Sequence, residues 1–164
     1  MTTTLEKQLR HNAWANHAVL TAFRQRVSLL EHTDYASESL RERARHLAEV
    51  ERGFLDVLRD VQRRPDPPAE LEELVRYQDE TGRDFADLVA SWDDAARTRD
   101  VFIPWWDQSF AAADNVAQVL YHSAQHRAEL AWELARNGIS TGELDYIRWL
   151  AGGEPAPGEP VPEE

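Results

Sequence analysis

The sequence is organised around residues 121–130, Tyr121-His122-Ser123-Ala124-Gln125-His126-Arg127-Ala128-Glu129-Leu130, in the middle of its last long helical pattern. The two histidines stand four residues apart, so on an α-helix their imidazoles would lie on one face about one turn apart. That spacing lets each ring offer a neutral nitrogen to one cation. Val119 and Leu130 fall on the same face. Because burying polar rings without partners is costly, a bound metal would explain the pair.

Four amphipathic patterns, with apolar residues three or four positions apart, predict four long helices. They cover about residues 4–26, 37–62, 69–97 and 109–137. Ser37 and Ser39 are candidate N-caps for the second helix, and Gly138 is a candidate C-cap for the fourth. With almost no strand pattern, the sequence predicts an all-α four-helix bundle, forming one domain over residues 1–151.

Segments outside these patterns predict the connections. The run 63–68, Arg-Arg-Pro-Asp-Pro-Pro, ends the second helix because proline lacks an amide hydrogen and blocks the preceding turn. The run 100–107, Asp-Val-Phe-Ile-Pro-Trp-Trp-Asp, predicts a short extended excursion before the fourth helix. Residues 144–150 predict a short helical or extended closing segment. Residues 152–164 are acidic and rich in proline and glycine, so we expect them to be disordered, extended or packed by a neighbouring chain.

The composition excludes several classes of function. A chain of 164 residues with 42% hydrophobic residues can bury the core of one domain. It has no apolar run of membrane-spanning length, and its start leads directly into a charged helical pattern, so we expect a soluble cytoplasmic protein. A net charge of −12 without a basic patch argues against nucleic-acid binding. The absence of cysteine means that only His, Asp and Glu could hold a metal.

A third histidine could complete a site with the pair. His46 stands on the flank of the second helical pattern, and metal sites in bundles are built from side chains on facing helices. Three histidines leave positions open on the ion, as in catalytic zinc sites, whereas closed structural sites usually have four protein ligands. The His-Glu-x-x-His motif of zinc peptidases is absent because residue 123 is serine. The other histidines, His11, His17 and His32, are expected at surface or boundary positions.

Two glutamates and three tryptophans are further site candidates. Glu49 follows His46 by three residues, and Glu129 follows the last histidine by three, so either carboxylate could orient an imidazole or act as a fourth ligand. Such glutamates are more often simply solvated. Trp92, Trp105 and Trp106 could line a pocket beside the ion, and the alternative is that they belong to the core.

Three motifs together resemble a known family. The Trp14-Ala15-Asn16 motif, the stretch His46-Leu47-x-x-x-Glu51 and the motif His122-x-x-x-His126-Arg127 resemble those of the DinB/YfiT-like metalloenzymes over about residues 5–150. The resemblance implies a four-helix bundle with a long crossover between helices 2 and 3, often dimeric, and a divalent ion held by three histidines. By motif match these are His46, His122 and His126. Relatives include S-transferases and isomerases that use bacillithiol, mycothiol or glutathione. Members often carry glutamine where this chain has Glu129, which adds a negative charge.

Our first hypothesis is a metal-dependent transferase. A divalent ion, zinc or nickel in preference to iron or manganese, would bind a low-molecular-weight thiol in an open position and lower its pKa, so that the thiolate attacks an electrophile. The partners would be the thiol, the electrophile and a second copy of the chain. One alternative is a non-catalytic bundle that is stabilised by the metal or serves as a dimeric interaction module. Another is that no metal binds and the histidines pair with Glu49, Glu51 or Glu129.

Overall fold

The computed structural model describes residues 3–33 and 37–161. Within these residues the chain is mostly helical, with one small antiparallel hairpin. The prediction of an all-α fold with a short extended excursion before the last long helix is confirmed. In chain order the α-helices and strands are α1 (Thr4–Ala22), α2 (Leu40–Leu58), α3 (Leu71–Ala90), α4 (Asp94–Thr98), β1 (Asp100–Ile103), β2 (Gln108–Ala111), α5 (Ala112–Arg136) and α6 (Tyr146–Ala151). Two short 3-10 helices, Phe23–Gln25 and Val27–Glu31, follow α1.

The helix boundaries are set by capping groups. Ser39 caps α2, because its side chain accepts from the Glu42 amide and the Glu42 carboxylate accepts in return from the Ser39 amide. The single third helix predicted over residues 69–97 is wrong. Its helical pattern is interrupted after Ala90, and the Asp93 side chain accepts from the Ala96 amide to begin α4.

The four long helices pack around shared buried side chains. Helix α1 lies against α3 and α5, and α2 lies against the same two helices. Close approach of α1 to α3 depends on small residues, since a Cβ added at Gly82 would lie 2.6 Å from the Ala13 Cβ. Residues 59–70 join α2 to α3 and include the three prolines that the sequence placed there. Helices α2 and α5 lie directly against each other.

The hairpin stands at the start of α5. Strands β1 and β2 pair antiparallel with Val101 opposite Phe110, and Val101 and Ile103 are buried beneath the helices. Its turn carries Trp105, whose ring meets that of Phe54 on α2 edge to face, with centroids 5.3 Å apart. The extended excursion thus covers one end of the helical core.

The described part of the tail lies against α1. The Trp149 indole donates to the Pro155 carbonyl at 2.9 Å, and the Trp14 indole donates to the Glu159 carbonyl at 2.9 Å. Lys7 pairs with Glu154 at 2.6 Å. The Lys7 and Trp14 contacts attach Glu154 and Glu159 to α1, and the expectation that residues 152–164 are disordered, extended or packed by a neighbouring chain stays a prediction. Residues 162–164 lie outside the described part of the chain.

None of the helices that the structure describes combines the length and apolar character needed to cross a membrane.

Candidate metal centre

The structure brings the three predicted histidines together. Helix α2 supplies His46, and α5 supplies His122 and His126; one nitrogen from each ring lies within 4.8 Å of the other two. The His122 Nε2 and His46 Nε2 atoms are 3.1 Å apart, and the ring centroids are separated by 4.3 to 5.1 Å. Histidines 76 and 80 residues apart in sequence therefore form one cluster between two helices.

The cluster fits a divalent ion. Zinc binds imidazole nitrogen at about 2.0–2.1 Å, so two nitrogens on a tetrahedral ion are about 3.3 Å apart, close to the observed Nε2–Nε2 distance. The His122 Nδ1 atom is buried and has no hydrogen-bond partner in the described residues. Three imidazoles without a thiolate suit zinc, nickel, copper or iron.

The surroundings favour the neutral imidazoles that coordinate metals. Burial is the main cause that lowers the pKa of His122 to about 4, and the neighbouring His126 and His46 rings add to the effect. Although much of His46 reaches solvent, partial burial lowers the pKa of its imidazole too, followed by the influence of His126. Neutral rings keep a lone pair for a cation at pH values where a free histidine would begin to protonate.

Glu129 contacts the His126 imidazole, as it would if its carboxylate oriented the ring; the other alternative from the sequence was a fourth metal ligand. The His126 Nδ1 atom lies 2.7 Å from Glu129 Oε2, and Gln125 donates to Glu129 Oε1 at 3.2 Å. With the proton on Nδ1 donated to this carboxylate, the lone pair of His126 is on Nε2. The side chain of His126 is only 12% exposed, so this contact controls the orientation of a largely enclosed ring.

Arg43 balances the charge that Glu129 adds. The buried guanidinium of Arg43 donates to Glu129 Oε2 and lies 3.1 Å from Glu38 Oε2. Its NH1 atom is also 3.5 Å from the His126 Nδ1 atom; with the proton on Nδ1 both atoms are donors, so no hydrogen bond forms between them. Sequence reasoning missed Arg43, although its position three residues before His46 places it on the same side of α2. The negative charge expected from Glu129 is therefore compensated locally.

The second candidate glutamate points elsewhere. Glu49 pairs with the exposed guanidinium of Arg64 at 3.2 Å. The charge of Glu49 raises the pKa of His46, but this effect is smaller than those of burial and of His126, which both lower it. Glu49 therefore acts on the cluster through space, and a direct orienting role for it stays a prediction.

A charged groove opens beside His46. It encloses about 630 Å³ between α2 and the connection that follows it. Acidic and basic side chains line it together with prolines; the lining residues are Glu38, Glu42, Arg45, His46, Glu49, Arg64, Pro65, Asp66 and Pro67.

The tryptophans proposed as pocket walls are not among the residues that line this groove. Trp92 is 8% exposed and packs in the apolar core with Val89 and Val101. Trp105 and Trp106 are half exposed on the hairpin, and none of the three lines the groove. A pocket role for them stays a prediction.

Beneath the histidines lies a buried polar network centred on Glu51. Its carboxylate accepts from Asn12 at 2.6 Å and from Asn16 at 2.8 Å. Ser123 donates to it at 2.5 Å, and Gln78 donates to its other oxygen. Ser123 is buried on the inner face of α5 with Val119 and Leu130, the His126 side chain beside them is 12% exposed, and His122 is partly exposed.

Arg127 completes this network. Its NH1 atom donates to the carbonyl oxygens of Asn12 and Asn16, both at 2.8 Å. Each asparagine thus directs its side-chain oxygen toward the Arg127 guanidinium and its side-chain nitrogen toward the Glu51 carboxylate. Burial lowers the pKa of Arg127, and the charge of Glu51 opposes that effect. Sequence reasoning weighed Glu51 only as an alternative partner of the histidines and missed this network; the available signal was two asparagines one turn apart on a buried stripe.

The remaining histidines serve other contacts. The expectation of a surface or boundary position is wrong for His11, which is 9% exposed and whose Nε2 lies 2.9 Å from the Leu144 carbonyl. His17 is partly buried and pairs with Asp79 at 2.9 Å. His32 is exposed.

Comparison with known proteins gives one family match. A family model described as the DinB superfamily matches residues 28–130, more than half of the chain. The match includes His46, His122 and His126, as well as Glu51 and Arg127. No curated protein matches the chain.

Proposed function

This chain belongs to the DinB superfamily, and from that premise we propose that it is a metal-dependent transferase acting with a low-molecular-weight thiol. The observation that carries the proposal is the cluster of His46, His122 and His126 beside a charged groove. Family membership and the cluster are both compatible with divalent-metal binding. The thiol would be of the bacillithiol, mycothiol or glutathione kind.

The three histidines would hold zinc or nickel, with iron or manganese as further candidates. A divalent ion in such a site supplies Lewis acidity, which lowers the pKa of a bound thiol and makes it a nucleophile at neutral pH. Glu129 keeps the His126 ring oriented through the 2.7 Å contact at Nδ1. Arg43 compensates the carboxylate, so the ligand set is not held beside an unbalanced negative charge.

The groove supports a small charged cosubstrate. Helix α2 contributes Glu42, Arg45 and Glu49 to its lining and the following connection contributes Arg64, so groups of both signs are within reach of one ligand. Low-molecular-weight thiols carry amino and carboxylate groups that such a lining complements. Because the chain has no cysteine of its own, the sulfur nucleophile would come from outside.

Metal analysis of protein made without a histidine tag tests the first step. We expect about one ion per chain in the wild type and in His32→Ala, which removes an exposed histidine outside the cluster. His122→Ala and His126→Ala should each weaken metal retention at least about tenfold, since each removes one of three ligands. Unchanged metal content in both variants, with folding intact by circular dichroism, would refute the metal site.

Cobalt substitution tests whether the site is open to a thiol. Adding a thiol to the cobalt form should produce a sulfur-to-metal charge-transfer band, because an external ligand can enter a three-histidine site. A panel of thiols, followed by thiol-consumption assays with electrophiles, would then identify the cosubstrate. A cobalt spectrum that no thiol alters would exclude the transferase and favour a metal that only stabilises the fold.

We also propose that the protein acts as a homodimer in the cytoplasm. The dimer follows from the family resemblance, and the location follows from the composition.

A further inference from the structure

The outward face of α5 differs from the rest of the surface. Six exposed residues follow one another at alternating spacings of three and four positions, and we refer to them as the α5 seam. They are Gln118, Tyr121, Gln125, Ala128, Trp132 and Ala135. Tyr121 is 79% exposed and Trp132 is 66% exposed, so two large aromatic side chains stand in water on one helix face.

The α5 seam carries no charged residue. At 1.5 Å per residue, the seam extends for roughly 26 Å along the helix. The absence of charge over that length contrasts with the whole chain, in which 29% of residues are charged. The outward face of α3 shows the contrast, since nearly all of its exposed positions are charged; these include Glu72, Glu73, Arg76, Glu80, Arg83 and Asp87. A helix face that only meets solvent has no need to exclude charge in this way.

The spacing of the seam is that of a helix–helix contact. Alternation of three and four residues keeps side chains on one line along the helix, as in the seam of a coiled coil. Ala128 and Ala135 are small enough to let a second backbone approach closely, while Tyr121 and Trp132 can pack over its sides. The occupant that fits is therefore another helix with a similar uncharged line.

The charges at the two ends select the partner. Asp114 lies four residues before Gln118, the first residue of the seam, and Arg136 directly follows its last residue; both are exposed. When two copies of α5 run antiparallel and cross at Gln125, Asp114 of one copy lies beside Arg136 of the other, at both ends. Arg136 already pairs with Glu133 at 3.2 Å, so it would be shared between two carboxylates.

We propose that the α5 seam is the interface of a homodimer, in which a second copy of this chain packs its own α5 antiparallel across Gln125. A net charge of −12 makes random contact between copies repulsive, and this seam is a line on which no like charges meet. The inference names the surface for the proposed homodimer, and its test does not depend on the metal.

The interface also adjoins the histidine cluster. Gln125 donates to Glu129 at 3.2 Å, and Glu129 contacts His126 at 2.7 Å. Packing of a second copy against Gln125 would therefore restrict the side chain that holds the Glu129 carboxylate against His126.

Light scattering after size-exclusion chromatography tests the interface. With a chelator present, so that exposed histidines cannot bridge chains through metal, the wild type should have twice the mass of one chain. Ala128→Glu places a charge in the middle of the seam and should raise the dimer dissociation constant at least tenfold. Ala90→Glu adds the same charge on the outward face of α3 and should leave the mass unchanged.

Single cysteines test the antiparallel geometry, because the natural chain has none. Gln125→Cys stands at the crossing point and should form a disulfide-linked dimer on mild oxidation, since a disulfide needs Cα atoms about 4.4–6.8 Å apart. Gln118→Cys would be about 20 Å from its counterpart in an antiparallel pair and should stay monomeric on a non-reducing gel. Gln8→Cys, exposed on α1, controls for random collision.

Charge reversal tests the pairing at the ends. Asp114→Arg should weaken the dimer several-fold because it faces Arg136 of the second copy, and the double variant Asp114→Arg/Arg136→Glu should recover the wild-type dissociation constant.

A monomeric wild type at every concentration would overturn the proposal, as would a dimer that Ala128→Glu leaves intact. Crosslinking at Gln118→Cys as efficient as at Gln125→Cys would overturn the antiparallel arrangement. A dimer that forms while metal content is nil would leave the interface standing and the transferase refuted.

Discussion

Replacing Glu51 by alanine should cost more stability than any other single truncation on α2. The carboxylate is 1% exposed and accepts from four side chains, Asn12, Asn16, Gln78 and Ser123. A buried donor left unsatisfied costs about 1–3 kcal/mol, and a buried ion pair broken on one side costs about 3–5 kcal/mol. With Arg127 also losing its counter-charge, we expect a loss of about 5 kcal/mol or more, comparable with the whole stability of a small domain.

Glutamine at the same position separates the hydrogen bonds from the charge. Glu51→Gln keeps one acceptor oxygen for Asn12, Asn16 and Ser123. Its new amide would face Gln78, whose own Oε1 atom is buried without a partner and could accept after an amide flip. Only the charge opposite Arg127 is then lost, so we expect about 1–3 kcal/mol.

Urea denaturation followed by circular dichroism measures both losses. Glu49→Ala is the matched control, because Glu49 lies on the same helix and its ion pair among the described residues is with the 90% exposed Arg64, which should be worth less than about 1 kcal/mol. Similar midpoints for Glu51→Ala and Glu49→Ala would refute the idea that the network anchors the helices. A Gln variant as damaged as the Ala variant would show that the charge, and not the set of acceptors, dominates.

Three further perturbations follow from the structure. Metal-free protein should lose stability as the pH falls from 6.5 toward 4. Burial lowers the pKa of His122 to about 4 in the folded protein, so the unfolded chain takes up the proton first. A urea midpoint that is flat over this range, or that falls equally in His122→Ala, would contradict this. Gly82→Ala should destabilise by about 1–3 kcal/mol, since its Cβ would lie 2.6 Å from that of Ala13, and adding Ala13→Gly should recover part of the loss in thermal denaturation. Deleting residues 154–164 removes the acceptors of two buried indole N–H groups and should lower stability by about 2 kcal/mol, whereas an unchanged melting temperature would mean that the tail contributes nothing.

Periodicity predicted the long helices because their core-facing stripes are local features of the chain. The same stripes continue past the true helix ends, so the third pattern concealed the interruption that the Asp93 cap introduces. The tail was hard to predict because its contacts are tertiary and leave no local pattern in the sequence. Its composition predicts weak apolar burial, and the contacts that attach it are carbonyls accepting from Trp14 and Trp149, more than a hundred residues away in the first case. Such bonds depend on tertiary placement, which no local pattern reports.

The candidate site was predictable where its members lie on one helix. The spacing of His122, His126 and Glu129 places them on adjoining positions of α5, and the structure keeps the His126–Glu129 contact. The compensating Arg43 comes from α2, and its partner could be identified only once the two helices were aligned. Aromatic character alone does not distinguish the core position of Trp92 from a ligand wall, and the pocket role of the tryptophans stays a prediction.

The two polar sets in this protein depend on each other through the register of α2 and α5. Each cluster histidine on α5 is followed directly by a network residue, His122 by Ser123 and His126 by Arg127, so one helix face turns toward His46 and the next toward Glu51. The Ser123–Glu51 bond fixes how far α5 has slid along α2, and that position in turn sets the 3.1 Å approach of His122 to His46. A one-residue slip would replace a proposed histidine ligand by a neighbouring residue that cannot coordinate in its place. We therefore expect the Glu51 carboxylate to help set how the three imidazoles converge, although its hydrogen bonds go to Asn12, Asn16, Gln78 and Ser123.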